Sequence, residues 1–149
     1  MLHYIIDGNN LIGKQSSLKS LQKSDPQQSR EKLAFILDRF FTNKKVNVTL
    51  HFDGFEKDKI RTAKLKIVYS DNKTADEKIR QQIEYSKNPK KLVVVTSDFP
   101  LSEFAKKCSC AVIKSEEFLK KLSDKSDSKS ENEIQKEIDN EEIKKLFGI

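Results

Sequence analysis

Three aspartates in this sequence each follow a short apolar segment with the pattern of a buried strand. They are Asp7, Asp53 and Asp98. In parallel α/β sheets, ligands bind at the edge formed by the carboxyl ends of the strands. Carboxylates gathered at such an edge raise one another's pKa values unless a cation neutralises them. Oxygen-rich sites of this kind suit Mg²⁺ or Mn²⁺, which activate water and stabilise the leaving oxygen in phosphodiester hydrolysis.

A fourth acid, Asp76, falls in the first turn of a predicted helix. Ile79 and Ile83 follow it at i+3 and i+7. This spacing predicts that Asp76 lies on the core-facing side of the helix, where an acid is costly without a partner. We therefore expect Asp76 to join the other three carboxylates.

Each of these aspartates also has a purely structural interpretation. Asp76 is a favourable charge at a helix N-terminus, and Asp98 can cap the helix that Pro100 opens. Asp7 and Asp53 both precede a glycine, as turn residues do. Their shared placement at one predicted sheet edge favours the metal site over four unrelated structural roles.

The apolar pattern predicts strands that alternate with helices. Continuous or alternating apolar residues indicate strands, and apolar spacing of i, i+3, i+4, i+7 and i+8 from Leu33 indicates a helix. The predicted strands are 2–6, 46–52, 65–69, 92–95 and 111–113, and helices are predicted to start at Ser29, Ala75, Pro100 and Glu116. This alternation predicts an α/β fold with a mainly parallel central sheet flanked by helices.

The remaining segments are more polar. Residues 14–28, rich in Ser, Lys and Gln, are predicted to form a loop or a poorly formed helix. We expect one domain over 1–122, a low-complexity linker over 123–133 and a C-terminal amphipathic helix over 134–149, where apolar residues form an imperfect helical stripe.

Charge is distributed unevenly along the chain. The net charge is +6, and residues 123–149 contain eight acids but only five bases, so that 1–122 carry a net +9. A basic body favours a polyanionic partner such as RNA. No apolar run approaches the roughly 18–20 residues that cross a bilayer, and no secretory signal follows Met1, so we expect a cytoplasmic protein without a membrane partner.

The ordered set of motifs resembles the YacP-like bacterial branch of the NYN domain, within the PIN-like nuclease superfamily. The matching segments are Tyr4-Ile5-Ile6-Asp7-Gly8-Asn9-Asn10, Ser29-Arg30-Glu31-Lys32-Leu33, Phe52-Asp53-Gly54, Thr74-Ala75-Asp76-Glu77-Lys78-Ile79 and Val94-Val95-Thr96-Ser97-Asp98. The resemblance implies a Rossmann-like PIN/NYN fold and a metal-dependent endoribonuclease, with a role in mRNA decay or rRNA processing at the ribosome.

The resemblance also assigns roles to individual residues. The acidic positions that would hold the metal and perform catalysis are Asp7, Asp76 and Asp98, with Asp53 and Glu77 as further candidate ligands. Candidate substrate-binding residues near the same edge are Asn9, Asn10, Thr96, Ser97 and Lys73. The expected cofactor is Mg²⁺ or Mn²⁺, and the expected partner is single-stranded RNA.

Two alternatives remain open at the level of the sequence. One is a non-catalytic RNA-binding NYN module. The other is a receiver-like phospho-signalling domain, in which Asp53 would accept the phosphoryl group and Asp7 would bind Mg²⁺. Strand counting argues against the receiver, because its phosphorylated aspartate ends the third strand whereas Asp53 ends the second predicted strand.

Overall fold

The fold alternates strands and helices along the chain. A computed structural model of the protein describes residues 1–124. The strands are β1 (Leu2–Asp7), β2 (Val46–Phe52), β3 (Leu65–Tyr69), β4 (Leu92–Val95) and β5 (Ala111–Ile113). The α-helices are α1 (Gly8–Lys14), α2 (Ser16–Ser24), α3 (Pro26–Phe41), α4 (Ala75–Tyr85), α5 (Phe99–Lys107) and α6 (Ser115–Asp124).

The five strands form one sheet in the order β3-β2-β1-β4-β5, and every pair is parallel. The predicted α/β class is confirmed. The chain leaves β1 for β2 on one side and reaches β4 on the other side, so the crevice at the end of β1 is a topological switch point, where ligands bind in open α/β sheets. A receiver-like domain has the order 2-1-3-4-5. The strand order therefore excludes that alternative.

Apolar side chains fill both faces of the sheet. Helices α1, α2, α3 and α6 cover one face, where Tyr4 and Phe118 pack against Phe41 with ring centroids 5.0 and 6.0 Å apart. Helices α4 and α5 cover the other face, with Ile79 and Ile83 of α4 buried against the sheet. The two-sided cover explains why β4 is apolar at every position.

The expectation of a loop or a poorly formed helix over residues 14–28 was wrong. Helix α2 occupies Ser16–Ser24, and Gln15 caps it by accepting a hydrogen bond from Leu18 N at 2.7 Å. Helix α3 begins at Pro26, three residues before the predicted start, with Asp25 as its N-cap. The apolar pattern was too weak to indicate α2, because Leu18 is the one residue of that helix that is buried.

The other predicted elements are confirmed within the described residues. Strand β3 lies at an edge of the sheet, and α4 begins at Ala75 with Thr74 as its cap. Helix α6 extends to Asp124 and so includes the first two residues of the segment predicted to be a linker. The rest of the predicted linker and the predicted C-terminal helix lie outside the described residues. No helix within 1–124 has the length and apolar character needed to span a membrane.

Candidate functional site

A cleft of about 750 Å³ opens at the carboxyl edge of the sheet. Its lining includes all four aspartates singled out above. The lining residues are Asp7, Asn9, Asn10, Asp53, Lys73, Thr74, Ala75, Asp76, Arg80, Asp98 and Pro100. A second cavity of about 380 Å³, between α2, α3 and α6, has a mainly apolar lining and contains none of the candidate site residues. The acidic cleft is therefore the candidate functional site.

Asp7 is the most buried acid of the cleft, with 9% of its surface exposed. Thr96 Oγ1 donates to Oδ2 at 3.0 Å, and the Asn10 backbone N–H points at Oδ1 from 3.4 Å. Burial raises the pKa of Asp7 to about 6, although these two hydrogen bonds act in the opposite direction. The charges of Asp53 and Asp98 raise it further. The expected repulsion between gathered carboxylates is therefore visible at Asp7.

The glycine after Asp7 is required by a close approach between α1 and β2. A Cβ atom at Gly8 would stand 2.6 Å from the carbonyl oxygen of His51 and 2.8 Å from the Phe52 ring. Any larger residue would push the start of α1 away from β2. Gly8 therefore lets the asparagines of α1 reach the ends of the neighbouring strands.

Asn9 and Asn10 tie α1 to the loops on both sides of β1. Asn9 Oδ1 accepts from the backbone N–H of Asp53 at 2.8 Å. Asn10 Oδ1 accepts from Ser97 N at 2.9 Å and from Ser115 Oγ at 2.7 Å. Both asparagines line the cleft, and these hydrogen bonds connect α1 to the segments that follow β2, β4 and β5.

Asp53 joins the end of β2 to the start of α4. Its Oδ1 accepts from the backbone N–H of Ala75 at 2.7 Å. Arg30 of α3 donates to the carbonyl oxygen of Asp53 and, at 3.0 Å, to that of Phe55. The bond to Ala75 holds the N-terminus of α4 at the edge of the cleft.

Asp76 does line the cleft, but its predicted position on the core-facing side was wrong. Its side chain is 41% exposed and forms an ion pair with Arg80, whose Nε lies 2.8 Å from Oδ2. Ile79 and Ile83 are buried as the spacing predicts. Asp76 differs because it stands in the first turn of α4, at the edge of the open cleft, and because Arg80 gives it a partner.

Arg80 is the cleft residue that the sequence analysis missed. Its guanidinium pairs with Asp76 and lies 4.8 Å from the centroid of the Phe104 ring of α5. An acid and an arginine four residues apart on a helix are a recognisable signal of a helical ion pair. That spacing could have identified Arg80 from the sequence.

Asp98 is the N-cap of α5 and is linked to Asp7 through Thr96. Its Oδ2 accepts from Leu101 N at 3.0 Å, and its own backbone N–H donates to Thr96 Oγ1 at 3.1 Å. Thr96 is fully buried. Thr96 thus contacts the carboxylate of Asp7 and the backbone of Asp98 from the protein interior, and it does not line the open cleft.

The remaining candidates fall into two groups. Lys73 lines the cleft. Ser97 lies outside it, where its hydroxyl donates to Glu116 Oε1 at 2.7 Å and accepts from Ser115 N. Glu77 is exposed on α4 and does not line the cleft.

The donor chemistry of the cleft fits a hard divalent cation, although its side chains are not at coordination spacing. Among residues 1–124, no three acidic, histidine or cysteine side chains lie close enough together to hold a metal ion as they stand. Asp53, Asp76 and Asp98 each use one carboxylate oxygen in the contacts described above, which leaves each a second oxygen as a potential ligand. Carboxylate oxygens are the ligands that Mg²⁺ and Mn²⁺ prefer.

Comparison with solved structures shows the same fold in a bacterial protein. A crystal structure of Rae1 (YacP) from Bacillus subtilis matches 99% of this chain and 93% of that chain, with a TM-score of 0.70 and 22% sequence identity. The structure of a point mutant of the same protein matches 83% of this chain and 76% of that chain, with a TM-score of 0.70 and 21% identity. No curated protein matches the sequence.

The sequence itself matches a family model over nearly its whole length. Residues 4–147 match the YacP-like NYN domain. The match includes each of the aspartates that line the cleft, and it agrees with the fold of the solved structures. The chain belongs to the YacP-like NYN domain family.

Proposed function

We propose that the protein is a metal-dependent endoribonuclease that hydrolyses phosphodiester bonds of single-stranded RNA in the acidic cleft. The observation that carries this proposal is the convergence of Asp7, Asp53, Asp76 and Asp98 on one cleft at the topological switch point of the sheet. The raised pKa of Asp7 supports the same site, because perturbed pKa values cluster at functional sites. Membership of a PIN-like nuclease family supports the same reaction.

Asp7, Asp76 and Asp98 are the proposed ligands of Mg²⁺ or Mn²⁺, with Asp53 as a further ligand. When bound, such an ion supplies Lewis-acid stabilisation of phosphate oxygens and activation of water. Because these carboxylates are not at coordination spacing, their side chains must rotate toward one another to bind the ion. Asp53, Asp76 and Asp98 each have a second carboxylate oxygen that could then serve as a ligand. Glu77 is omitted because its side chain lies outside the cleft.

The other residues of the cleft orient the acids and hold the substrate. Thr96 fixes Asp7 and Asp98 through its two hydrogen bonds. The side-chain N–H groups of Asn9 and Asn10 and the ammonium group of Lys73 are the proposed donors to RNA phosphates. Ser97 supports this wall of the cleft through the backbone N–H that it donates to Asn10.

The proposed substrates are cytoplasmic mRNA or rRNA, cut during mRNA decay or rRNA processing at the ribosome. Two features support an RNA substrate. One is the net charge of +9 carried by residues 1–122, which favours a polyanion. The other is the YacP-like family to which the chain belongs.

A non-catalytic RNA-binding module is the second candidate function. The observation in its favour is that, within residues 1–124, the acids are not at coordination spacing. The two candidates agree on RNA binding and differ in whether RNA is cut. A cleavage assay therefore separates them.

The test is cleavage of an unstructured, 5′-labelled RNA by the full chain in Mg²⁺, in Mn²⁺ and in EDTA. We expect internal cuts that leave 5′-phosphate and 3′-hydroxyl ends, and no cuts in EDTA. Asp7→Asn should reduce the cleavage rate by orders of magnitude, because it removes a proposed ligand. Asp58→Asn, which changes an exposed aspartate outside the cleft, is the matched control and should cut at the unsubstituted rate.

Two results would contradict the nuclease. Cleavage that persists in EDTA, or that Asp7→Asn leaves unchanged, would exclude the proposed site. RNA binding without cleavage in any divalent cation would favour the binding module.

A further inference from the structure

Two phenylalanines with exposed rings stand immediately beside aspartates of the cleft. Phe99 is 73% exposed and Phe55 is 57% exposed. Phe99 follows Asp98 directly, and Phe55 stands two residues after Asp53. Single exposed apolar residues are common on protein surfaces. Two exposed aromatic residues next to the acids of one cleft are less common, and they suggest a shared role.

The two phenylalanines stand on opposite sides of β1. Phe55 belongs to the loop after β2, and Phe99 to the segment after β4, and these two strands pair with β1 on either side. Asp7 ends β1. The two phenylalanines therefore stand on either side of the most buried acid of the cleft, one after each strand that pairs with β1.

The backbone at both positions is held in place. The Phe55 carbonyl oxygen accepts from Arg30 Nη1 at 3.0 Å. The preceding Gly54 donates its backbone N–H to Ser70 Oγ, and its carbonyl oxygen accepts from Asp71 N. Phe99 is the first residue of α5, between the N-cap Asp98 and Pro100, both of which line the cleft. A phenylalanine on a fixed backbone loses little conformational entropy when its ring contacts a ligand.

We infer that Phe55 and Phe99 are base-stacking residues that hold unpaired nucleotides on the two sides of the cleft. This inference rests on the proposed function and names two residues that would hold the bases of its substrate. Aromatic side chains stack on nucleic-acid bases without regard to sequence, because every base has a π face. Bases within an RNA duplex are already stacked and paired, so only single-stranded RNA can place its bases on the two rings while a phosphate lies in the acidic cleft.

The test measures binding separately from cleavage, in a full chain that carries Asp7→Asn. A short unpaired RNA with the fluorescent base 2-aminopurine in place of one adenine is titrated with this parent protein, and its emission and anisotropy are followed. We expect binding to quench the emission, because stacked 2-aminopurine is dim. Adding Phe55→Ala or Phe99→Ala should weaken binding by about 5- to 100-fold each and reduce the quenching.

Tyr85→Ala is the matched control. Tyr85 is 81% exposed and ends α4, at the opposite end from Ala75 and Asp76 of the cleft. This variant should bind and quench as the parent does. Phe99→Tyr should restore the binding that Phe99→Ala loses, since it keeps an aromatic face. Thermal melting of each variant verifies that the surface changes leave the fold intact.

The outcomes separate the two proposals. If the parent binds unpaired RNA but the alanine variants bind equally tightly, the stacking inference is overturned while the proposed function stands. If the parent binds a fully paired duplex as tightly as unpaired RNA, the preference for unpaired bases is overturned. If the parent binds no RNA at all, both proposals fail together.

Discussion

At the scale of single residues, burial and neighbouring carboxylates disfavour the charged form of Asp7. Burial is the largest cause of the rise in its pKa to about 6. Asp76, by contrast, has a side chain that is 41% exposed and forms an ion pair with Arg80. Asp7 is therefore the acid that lies against the core, although the sequence pattern pointed to Asp76.

The raised pKa of Asp7 predicts a specific dependence of stability on pH in EDTA. Between about pH 4 and 6 the folded chain keeps a proton at Asp7 that the unfolded chain has lost, so this group lowers the free energy of unfolding as the pH rises. Asp7→Asn lacks this effect. We expect the variant to be more stable than the unsubstituted chain by about 1–3 kcal/mol at pH 7 and by little at pH 4.

Urea unfolding of both proteins in EDTA across this pH range checks the prediction. Asp58→Asn is the control for loss of an exposed carboxylate, and it should not reproduce the gain. An Asp7→Asn variant that is less stable at pH 7, or whose gain does not depend on pH, would show that Asp7 is held mainly by its hydrogen bonds to Thr96 and Asn10.

At the scale of secondary-structure elements, α4 matters most because it carries Asp76 and Arg80 into the cleft. A polar cluster anchors it to the sheet. His51 Nε2 lies 2.7 Å from Gln82 Oε1, and Gln82 Nε2 donates to Thr49 Oγ1 at 3.1 Å. Thr49 Oγ1 in turn lies 2.6 Å from His3 Nε2. The cluster joins β1, β2 and α4 through side chains that are neutral when both histidines are unprotonated.

Burial lowers the pKa of both histidines, and nearby lysines contribute to the shift. As the pH falls through the ordinary histidine value of 6.5, the unfolded chain takes up protons that the folded chain does not. We therefore expect this pair to lower the free energy of unfolding on acidification. The Asp7→Asn chain is the right background, since Asp7 acts in the opposite direction over the same range.

The ring resonances measure this directly, because the chain contains only two histidines. We expect both sets of NMR signals to titrate below the ordinary range, with protonation of His51 accompanied by shifts in α4. A His51 ring that titrates at or above 6.5 would mean that the cluster does not keep it neutral, and that α4 is held in another way.

Elements could be predicted from the sequence wherever periodic apolar residues determine them. Helix α3 shows this clearly, since Leu33, Leu37 and Phe41 are all buried. Helix α2 was predicted only as a loop or a poorly formed helix, because Leu18 is its single buried residue and its start depends on the Gln15 cap. Three-dimensional details of the cleft, such as the inward position of Thr96 and the outward position of Asp76, depend on how helix starts meet the sheet edge. No local pattern carries that information.

At the scale of the whole molecule, we expect the net positive charge of residues 1–122 to control the affinity for RNA. Residues 1–122 carry a net +9, and Lys73 and Arg80 stand in the cleft among its four aspartates. For single-stranded RNA, the logarithm of the affinity should fall linearly with the logarithm of the salt concentration, with a slope of roughly −0.7 per phosphate contacted. We expect a slope of about −2 or steeper for the Asp7→Asn chain, which corresponds to at least three phosphates.

Fluorescence anisotropy in 50 to 300 mM KCl measures this slope. Lys73→Gln should reduce its magnitude by about 0.7, because one phosphate contact is lost. An exposed lysine outside the cleft provides the control, and Lys120→Gln on α6 should leave the slope unchanged. A salt-independent affinity would contradict an electrostatic mode of binding.

The proposed nuclease requires the carboxylates of the cleft to hold the divalent cation that supports RNA cleavage. Anomalous scattering from crystals of the full chain soaked in Mn²⁺, at a concentration that supports cleavage by the same preparation, tests it most directly. We predict an anomalous peak within coordination distance of Asp7, Asp76 and Asp98, and its loss in Asp7→Asn crystals. An active preparation whose crystals bind Mn²⁺ elsewhere, or show no peak in the cleft, would contradict the claim.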